Sequence, residues 1–446
     1  MSASAVLPQR SAPASRVYRI ALQIAILLGL GVIVYATLGG TLSRLLGKAL
    51  NAHSLDPSLV RPGVVWVSLG VVMLVARTLL WLAYRPQAAV DYDEAPAMTV
   101  VIPAYNEGAM VEQAIDAVAG ARYPADRLQI VVVDDGSTDD TWHCIARAAA
   151  RHDSRVTALR LPENRGKREA LAAGFRIARG SIYVTIDSDS VIERDALLAM
   201  AGPFRDPRIG AVAGKVAAWN RDGGVISRML HVQFILSFDV QRSVQSTYRT
   251  VYCCPGALAA YRASVVTRVL ESWLAQRFLG ARCTFGEDRA LTNDILACGF
   301  DSVYQGNAVV HTLVPTTYLG LCRMYLRWDR SHVREELRFL RIVWRRPLAP
   351  MLFAMVEKAM FGVGIPIGWV ALTMLALAVA ADPTVGLKLL LAIGVGGAFS
   401  MLYFLCSERS MRFVHGILYA YFAFFALWWI FPWAIVTVRS RSWLTR

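Results

Sequence analysis

The sequence predicts an α/β domain with a doubly wound sheet, flanked on both sides by transmembrane α-helices. Residues 96–346 alternate short apolar strands with amphipathic helices, which is typical of such a sheet. Apolar runs long enough to span a bilayer lie before this stretch, at 20–38 and 64–84, and after it, beyond Pro347. Hydrophobic residues make up 55% of the 446-residue chain, which is more than soluble domains usually contain.

The first membrane block follows a small, polar and basic segment, 1–19, which we expect to be a cytoplasmic tail. Arg10, Arg16 and Arg19 precede the first apolar run, and no clear small-residue cleavage site accompanies it. This pattern indicates a signal anchor and not a removed signal peptide. Two helices within 20–84 then cross the membrane outward and back. The sequence therefore predicts an integral protein of the plasma (inner) membrane with its α/β domain in the cytosol.

Cysteine content and charge favour the same location. The seven cysteines lack the spacing of a disulfide framework, which is typical of a reducing compartment. The net charge of +14 is explained by basic residues near cytoplasmic membrane ends. A basic segment before the second membrane block is expected to meet anionic lipid headgroups or, failing that, an anionic substrate. Its arginines are Arg323, Arg327, Arg330, Arg334, Arg338, Arg341, Arg345 and Arg346. No nucleic-acid-binding motif occurs, so nucleic acid is not an expected partner.

The first half of the α/β domain has the clearest pattern. Its first strand stops at Pro103, and a helix follows over about 108–121. The second strand, 128–133, is a near-continuous apolar run, as in a parallel sheet covered on both faces. The next elements are helix 140–152 with Ser137 and Asp139 as its expected caps, strand 156–161, helix 169–178 and strand 181–186.

The second half of the domain gives weaker signals. The expected elements are strand 211–216, helix 226–246, a strand–turn–strand unit over 251–262, helix 290–297 and a long helix over 317–341. The expected divisions are an α/β domain at 96–316, basic interfacial helices at 317–346, a C-terminal transmembrane region at 347–438 with apolar runs at 359–381, 386–406 and 413–438, and a tail at 439–446.

Two carboxylates stand at the end of the strand over 181–186. Asp187 and Asp189 are two residues apart, so in extended chain they point the same way and converge. Hard oxygen ligands of this kind suit Mg²⁺ or Mn²⁺ and leave coordination positions for a diphosphate. The alternative is that both side chains only cap a turn.

Other polar residues fall at equivalent places in the alternation. In doubly wound sheets, ligands bind at the carboxyl ends of the strands. Tyr105, Asp134, Asp135, Lys167 and Asp187 all lie at such ends. The sequence therefore predicts one binding site that these residues share.

Six motifs in a fixed order give the chain a family resemblance. They are Pro103-Ala104-Tyr105-Asn106-Glu107, Asp134-Asp135-Gly136-Ser137, Asn164-x-Gly166-Lys167-Arg168, Asp187-Ser188-Asp189, Gly286-Glu287-Asp288-Arg289 and Arg327-Trp328. Together they resemble the processive family-2 glycosyltransferases of membranes, and most of all hyaluronan synthases and the chitin-oligosaccharide synthases of nodulation. The resemblance covers the middle domain and the membrane layout on both sides, and it implies a GT-A-like fold.

The chain departs from the family pattern at two places. Met324 and Tyr325 stand where the family has glutamine positions before Arg-Trp, which bears on the geometry of the acceptor. The family's closing Trp-Gly-Thr-Arg, which resembles a loop over the nucleotide, is here Trp443-Leu444-Thr445-Arg446. The resemblance implies nucleotide contacts for Trp443 and Arg446, which require a cytosolic tail. The run 413–438, interrupted at Pro432, is then expected to be re-entrant or interfacial.

The resemblance assigns the donor diphosphate to three residues. Transfer from a nucleoside diphosphate requires that the charge of the leaving diphosphate be neutralised. Asp189, helped by Asp187, is expected to hold Mg²⁺ or Mn²⁺ on the diphosphate. Lys167 opens a helix after a Gly-containing loop and offers a further positive charge to phosphate. The alternative for Lys167 is an ordinary surface lysine.

The nucleoside is expected to lie against four other residues. Tyr105 offers a ring to stack on the base, and Glu107 offers an acceptor for the N–H of that base. Either Asp134 or Asp135 is expected to contact the ribose or the uracil.

The acceptor side of the site is expected to centre on Asp288. This residue is the candidate general base for the acceptor hydroxyl, and burial beside Glu287 should raise its pKa. With one base and no separate nucleophile, a single displacement with inversion at the anomeric carbon is the simplest reaction. Trp328 is expected to stack on the acceptor sugar, and Arg327 to pair with phosphate or with an acid of the site. The alternative for Trp328 is an interfacial anchor.

The resemblance implies a processive polymerase that uses UDP-N-acetylglucosamine as its donor. With this donor alone it would make chitin-like β-linked chains, and with UDP-glucuronate as well it would make hyaluronan. One alternative is a non-processive membrane transferase that adds a single sugar to a lipid. A second is an inactive nucleotide-binding subunit.

Export of the polymer is expected to use the membrane helices. Arg77, inside the second span, is expected either to snorkel toward the cytoplasmic end or to pair with a buried acid such as Glu357 and line a polar path.

Overall fold

The computed structural model describes residues 15–39, 57–152 and 155–440, and for 57–64 the backbone alone. Within them the chain forms two compact units. The α/β unit comprises 84–351 and 428–440, and the helical unit comprises 15–83 and 352–427. The seven cysteines, all within the described part, are free thiols, as the sequence predicted.

The helices and strands follow the predicted alternation in the first half of the α/β unit. The helices are α1 (Arg16–Leu38), α2 (Pro57–Ala83), α3 (Met110–Ala119), α4 (Thr141–Arg151), α5 (Lys167–Ile177), α6 (Ala196–Ala201), α7 (Val225–Ile235), α8 (Ser243–Thr247), α9 (Ala263–Leu274), α10 (Glu287–Ala297), α11 (Tyr318–Ile342), α12 (Leu348–Ala381), α13 (Thr384–Ser407), α14 (Phe413–Phe422) and α15 (Ile430–Val436). The strands are β1 (Met98–Ala104), β2 (Leu128–Asp134), β3 (Val156–Arg160), β4 (Ile182–Thr185), β5 (Ser190–Ile192), β6 (Ile209–Ala218), β7 (Ala259–Arg262), β8 (Arg277–Phe278), β9 (Ala281–Arg282) and β10 (Asp301–Thr312).

Eight strands form one sheet in the order β3-β2-β1-β4-β7-β6-β10-β5. The first four are parallel, and Val100, Val101 and Val131 in them are fully buried, because helices cover both faces. Strand β7 runs antiparallel to β4 and β6, and β5 runs antiparallel to β10, so the second half of the sheet is mixed. The predicted α/β fold class is confirmed, with antiparallel strands added after β4.

Two local predictions are wrong. The unit over 251–262 lacks its first strand, because the backbone N–H of Cys254 donates to the hydroxyl of Thr292 on α10; the turn, in which the carbonyl of Pro255 accepts the N–H of Leu258, and the second strand, β7, are present. Ser137 does not cap α4, because its hydroxyl accepts the N–H of Asn106. The predicted helix over 226–246 is present as a continuous run from Val225 to Thr247, with a π-helical segment, Leu236–Arg242, between α7 and α8.

The arginine row is also corrected by the structure. Arg330 and Arg334 are buried, and Arg338 pairs with Asp294 on α10. These side chains therefore hold α11 against the α/β unit and are not presented to lipid headgroups. The exposed members of the row are Arg323, Arg341 and Arg345.

Four helices are long and apolar enough to cross a membrane, and the α/β domain lies between the second and the third in sequence. They are Arg16–Leu38, Val65–Ala83, Leu348–Ala381 and Thr384–Ser407. A bent pair, Phe413–Leu427 and Ile430–Val436, makes a fifth if it is one span. The break between the pair falls at Trp428 and Trp429 and not at Pro432. Within the helical unit, Arg77 pairs with Glu357, as predicted.

Arg346, the last residue of the basic segment, is held by the buried carboxylate of Asp301. Asp301, at the start of β10, is 1% exposed, and its Oδ1 atom lies 2.5 Å from Nη2 of Arg346. Its Oδ2 atom lies 2.8 Å from Nε of Arg249 and 3.3 Å from Nη2 of Arg208. Arg346 also donates to the carbonyls of Phe300 and Arg249. This network ties Arg346, two residues before α12, to the start of β10.

We expect Asp301→Asn to lower the free energy of unfolding of the α/β unit by about 3–5 kcal/mol, because it leaves the buried guanidinium of Arg346 without its carboxylate. Arg341→Ala is the matched control, since this arginine is exposed on the same basic segment and lies outside the network. Chemical unfolding of the purified protein, followed by tryptophan fluorescence, measures both variants. Equal midpoints for Asp301→Asn and wild type would contradict this role of the network.

Candidate active site

The loops that follow β1 and β2 are bonded to each other. The backbone N–H groups of Glu107 and Gly108 both donate to the hydroxyl of Thr141, at 2.8 Å each. Asn106 adopts φ +52° and accepts the N–H of Thr138 on its side-chain oxygen. These bonds fix the loop that carries Tyr105, whose ring is 40% exposed at the carboxyl end of the sheet. The ring is therefore accessible to a ligand.

Asp134 and Asp135 shape the loops around them. Oδ1 of the fully buried Asp134 accepts the N–H of Ser137, and its Oδ2 lies 3.2 Å from Nε of Arg160. Asp135 accepts the N–H groups of Arg165 and Gly166 on its two oxygens. Burial raises the pKa of Asp135, although both of these hydrogen bonds oppose the rise. Asp135 thereby positions the loop that leads into Lys167.

Lys167 joins two of the predicted motifs. Its Nζ atom, at the first residue of α5, lies 2.5 Å from Oδ1 of Asp187 and 3.1 Å from Oε1 of Glu287. Burial opposes the charged form of Lys167, but the two carboxylates outweigh it and raise its pKa. The surface-lysine alternative is therefore wrong: this side chain is largely enclosed and doubly paired.

The two aspartates after β4 differ in their surroundings. Asp187 is bound to Lys167, and a Cβ atom on Gly256 would stand 3.3 Å from its Oδ1 and 2.8 Å from the lysine Nζ. Asp189 accepts the hydroxyls of Thr312 and Ser190 at 3.2 and 3.3 Å. Within the described part of the chain, no three acidic, histidine or cysteine side chains are grouped closely enough to hold a metal ion. Two hard oxygen ligands fit a divalent cation that takes its other ligands from a diphosphate and water.

Glu287 and Asp288 occupy the first turn of α10 and differ in their pKa shifts. Burial acts to raise the pKa of Glu287, but Lys167 and then Arg168 reverse it, so the net shift is downward. Burial and the charge of Glu287 raise the pKa of Asp288, against the opposing effect of Lys167. The predicted upward shift at Asp288 is thus present, with the predicted cause. Its Oδ2 atom accepts the thiol of Cys253 at 3.5 Å.

The Arg-Trp pair lies on α11. Trp328 is 43% exposed, and its ring centroid lies 6.3 Å from that of Phe234 and 5.8 Å from that of Tyr325. Arg327 is half-buried beside it. Tyr325, one of the two departures from the family pattern, therefore packs edge-on against the ring expected to bind the acceptor. The interfacial-anchor alternative for Trp328 remains untested.

The C-terminal segment lies against the same unit. Helix α15 packs on α11, and Oγ1 of Thr437 accepts Nε of Arg330 at 3.1 Å. The residues Val438, Arg439 and Ser440 line a depression beside Cys283 and Arg334. Trp443 and Arg446 lie outside the described residues, and their expected nucleotide contacts stay predictions.

The contacts bring one group of predicted residues together. Asp187, Lys167, Glu287 and Asp288 form a chain of charges, and Cys253 joins it through its thiol. The hydrogen bond from Cys253 to the candidate base was not predicted from the sequence. No local pattern signals that bond, because the two residues are 35 positions apart.

The chain is similar to known glycosyltransferases. The family model for glycosyl transferase family 2 matches residues 99–270. An N-acetylglucosaminyltransferase of Rhizobium meliloti (strain 1021) is 32% identical over 363 residues, which cover 79% of this chain and 82% of that protein. One of Azorhizobium caulinodans is 31% identical over 356 residues, covering 79% of this chain and 87% of that protein.

A solved structure is similar over most of the chain. It is the mannosyltransferase PcManGT from Pyrobaculum calidifontis in complex with GDP-Man and Mn²⁺. The TM-score is 0.58 at 25% sequence identity, and the match covers 81% of this chain and 98% of that chain.

Gly286 provides a test of how the first turn of α10 is held. Its φ is +74°, and a Cβ atom would stand 2.0 Å from Oγ of Ser331. We expect Gly286→Ala to displace Glu287 and Asp288 and to reduce sugar transfer at least tenfold, in addition to the roughly 1–2 kcal/mol cost of a left-handed backbone. Gly299→Ala is the matched control, because φ is +87° there but a Cβ atom would meet nothing within 4 Å. Equal activity loss in the two variants, measured as initial rates, would contradict the clash.

Proposed function

This chain belongs to glycosyl transferase family 2, and from that premise we propose that it polymerises N-acetylglucosamine from UDP-N-acetylglucosamine into a β-linked chain. It is a sugar-nucleotide glycosyltransferase with a GT-A-like fold, as the sequence predicted. The resemblance to the chitin-oligosaccharide synthase branch is confirmed by relatives named N-acetylglucosaminyltransferase over about four-fifths of their length. The donor nucleotide and processive elongation belong to the proposal.

The observation that carries the proposal is the charge arrangement around Asp288. A general base must be deprotonated at working pH and yet hold a proton well, which a carboxylate with a raised pKa does. Asp288 has that shift, and Lys167 lies between its neighbour Glu287 and the carboxylate of Asp187. A candidate base and a candidate phosphate-binding cation are thereby held in one site.

The proposed reaction is a single displacement. Asp288 accepts the proton of the acceptor hydroxyl while that oxygen attacks the anomeric carbon of the donor. The bond from that carbon to the phosphate oxygen breaks, and UDP leaves with its charge partly neutralised by Lys167. An α-linked donor then gives a β-linked product, by the stereochemical logic of inverting glycosidases. In this proposal Arg327, next to Trp328 on α11, pairs with phosphate or with an acid of the site.

A divalent cation fits the donor side of the proposed site. Asp189, with Asp187 beside it, would hold Mg²⁺ or Mn²⁺, which would supply Lewis-acid stabilisation of the leaving diphosphate. The similar mannosyltransferase is in complex with Mn²⁺, which supports a divalent-metal requirement here. Thr312 keeps the Asp189 carboxylate oriented by its hydrogen bond. In the same proposal, Tyr105 stacks on the base, while Glu107 and Asp134 or Asp135 bind the nucleoside.

The proposal places the chain in the plasma (inner) membrane with the catalytic domain in the cytosol. Two apolar helices of spanning length before the domain and two after it support this placement. The described residues 437–440 belong to the α/β unit, which supports a tail on the catalytic side. In this proposal Trp443 and Arg446 contact the nucleotide. Export of the polymer through the helical unit, past Arg77 and Glu357, completes the proposal.

The product identifies the function. Purified protein with Mn²⁺ or Mg²⁺ is given UDP-N-acetylglucosamine alone, and then together with UDP-glucuronate, while UDP release is measured. We expect release from the first donor alone and long chains that chitinase degrades. Polymer that needs both donors and is cut by hyaluronidase would make the product hyaluronan. A single sugar on lipid would establish the non-processive alternative, and no release with any UDP-sugar would overturn the proposal.

The charge of Glu287 should set the acid limb of the pH–rate profile. Asp288 acts as base in its deprotonated form, so activity falls as the pH falls through its raised pKa. Glu287→Gln removes the like charge and lowers that pKa, so we expect the acid limb to move to lower pH. Asp288→Asn should reduce the rate by about 10²–10⁴-fold while UDP still binds. An acid limb at the same pH in Glu287→Gln and wild type would contradict this assignment.

A further inference from the structure

The π-helical segment Leu236–Arg242 is fixed at its centre to the sheet. Asp239 accepts Nζ of Lys215 on β6 at 2.6 Å and the hydroxyl of Tyr304 on β10 at 3.0 Å. Segments of this kind are rare and often lie at functional sites. Here the extra residue per turn and the anchored carboxylate set the direction of the chain that carries Arg242.

Arg242 is a charged group without a carboxylate partner. Its Nη1 atom donates to the hydroxyl of Ser237 at 2.7 Å, and its guanidinium lies 3.9 Å from the ring centroid of Phe238. Its Nε atom is buried and meets no hydrogen-bond acceptor, and no acidic side chain in the described part of the chain forms an ion pair with it. Burial lowers the pKa of Arg242. Arginines withdrawn from water are ordinarily paired, so an oxygen-rich ligand is the partner that this group lacks.

The position of Arg242 joins the two halves of the proposed acceptor site. On one side its charge acts on the thiol of Cys253, which donates to Asp288. On the other side it covers Phe238, whose ring centroid is 6.2 Å from that of Phe234. Phe234 in turn lies 6.3 Å from Trp328. Arg242 is therefore linked to the candidate base through Cys253, and to the exposed tryptophan through the buried rings of Phe238 and Phe234.

We propose that Arg242 is a specificity-determining residue of the acceptor site, and that its guanidinium donates to the carbonyl oxygen of the acetamido group on the sugar that stacks on Trp328. This inference rests on the proposed function, because it takes Trp328 and Asp288 as the acceptor-binding and base residues.

The chemistry of the two groups is complementary. A guanidinium only donates hydrogen bonds, and an amide carbonyl oxygen only accepts them. A hydroxyl in place of the acetamido group is shorter and must also place its own proton, for which Arg242 offers no acceptor. A hydrogen bond to a charged group contributes about 1.5–3 kcal/mol, which corresponds to about a 10- to 150-fold preference for the N-acetylated acceptor.

The test compares two acceptors that differ in that group. Full-length purified enzyme with saturating donor is given chitotriose or cellotriose, and kcat and KM are measured for the addition of one sugar to each. We expect wild type to prefer chitotriose by about 10- to 150-fold, and Arg242→Gln to lose most of that preference through a higher KM for chitotriose. Arg242→Lys, which keeps the charge but not the planar fork, should recover part of it.

Controls separate this role from misfolding and from failure of the proposed function. Arg228→Gln, on α7 before the π-helical segment, is the matched variant and should keep the wild-type preference. Nucleotide affinity, measured by titration with UDP, should be the same in Arg242→Gln and wild type. An unchanged chitotriose preference in Arg242→Gln overturns the inference. The inference is also overturned if wild type prefers a glucuronate-terminated acceptor and Arg242→Gln loses that preference, because the partner of Arg242 is then a carboxylate. If wild type uses none of these acceptors but still releases UDP from UDP-N-acetylglucosamine, the inference is overturned; if it releases no UDP with any UDP-sugar, the proposed function itself is overturned.

Discussion

The ammonium group of Lys167 joins two parts of the chain whose carboxylates would otherwise repel each other. It lies between the carboxylates of Asp187, after β4, and Glu287, at the start of α10. Two largely enclosed carboxylates facing each other without a cation would cost free energy in their charged forms. The loop leading to Lys167 is in turn held by Asp135 through two backbone hydrogen bonds. The closeness of the candidate donor-binding and base residues therefore depends on this one ion-pair cluster.

The first half of the fold follows from local pattern, and the second half does not. Strands β1, β2 and β4 are apolar runs that end in polar residues, so both the strands and the residues at their ends were predictable. The loop before β7 was misread because Cys253 and Cys254 look like strand residues, while Pro255 and a close approach to Gly256 decide the conformation. Such contacts join residues about 70–90 positions apart, and no periodicity encodes them.

The same limit explains the arginine row and Arg242. From sequence, closely spaced arginines before an apolar run resemble a membrane-facing surface. The structure turns Arg334 and Arg338 toward α10, because Glu335 and Asp294 are buried there and need cations. Arg242 gave no signal at all, since only the fold shows that this half-buried guanidinium forms no ion pair within the described part of the chain. An ion pair depends on two residues that the fold brings together, whereas a sequence pattern shows only where each charged residue lies along the chain.

In the proposed mechanism, Lys167 also couples donor binding to the strength of the base. In the arrangement described, it neutralises part of the charge of Glu287 and thereby keeps the pKa of Asp288 below the value that burial and Glu287 alone would give. A diphosphate bound beside Asp187 and Asp189 would compete for the same ammonium group. Glu287 would then be less neutralised, and its charge would raise the affinity of Asp288 for a proton. The base would therefore become stronger when the donor is in place, which favours transfer to an acceptor once a leaving group is bound.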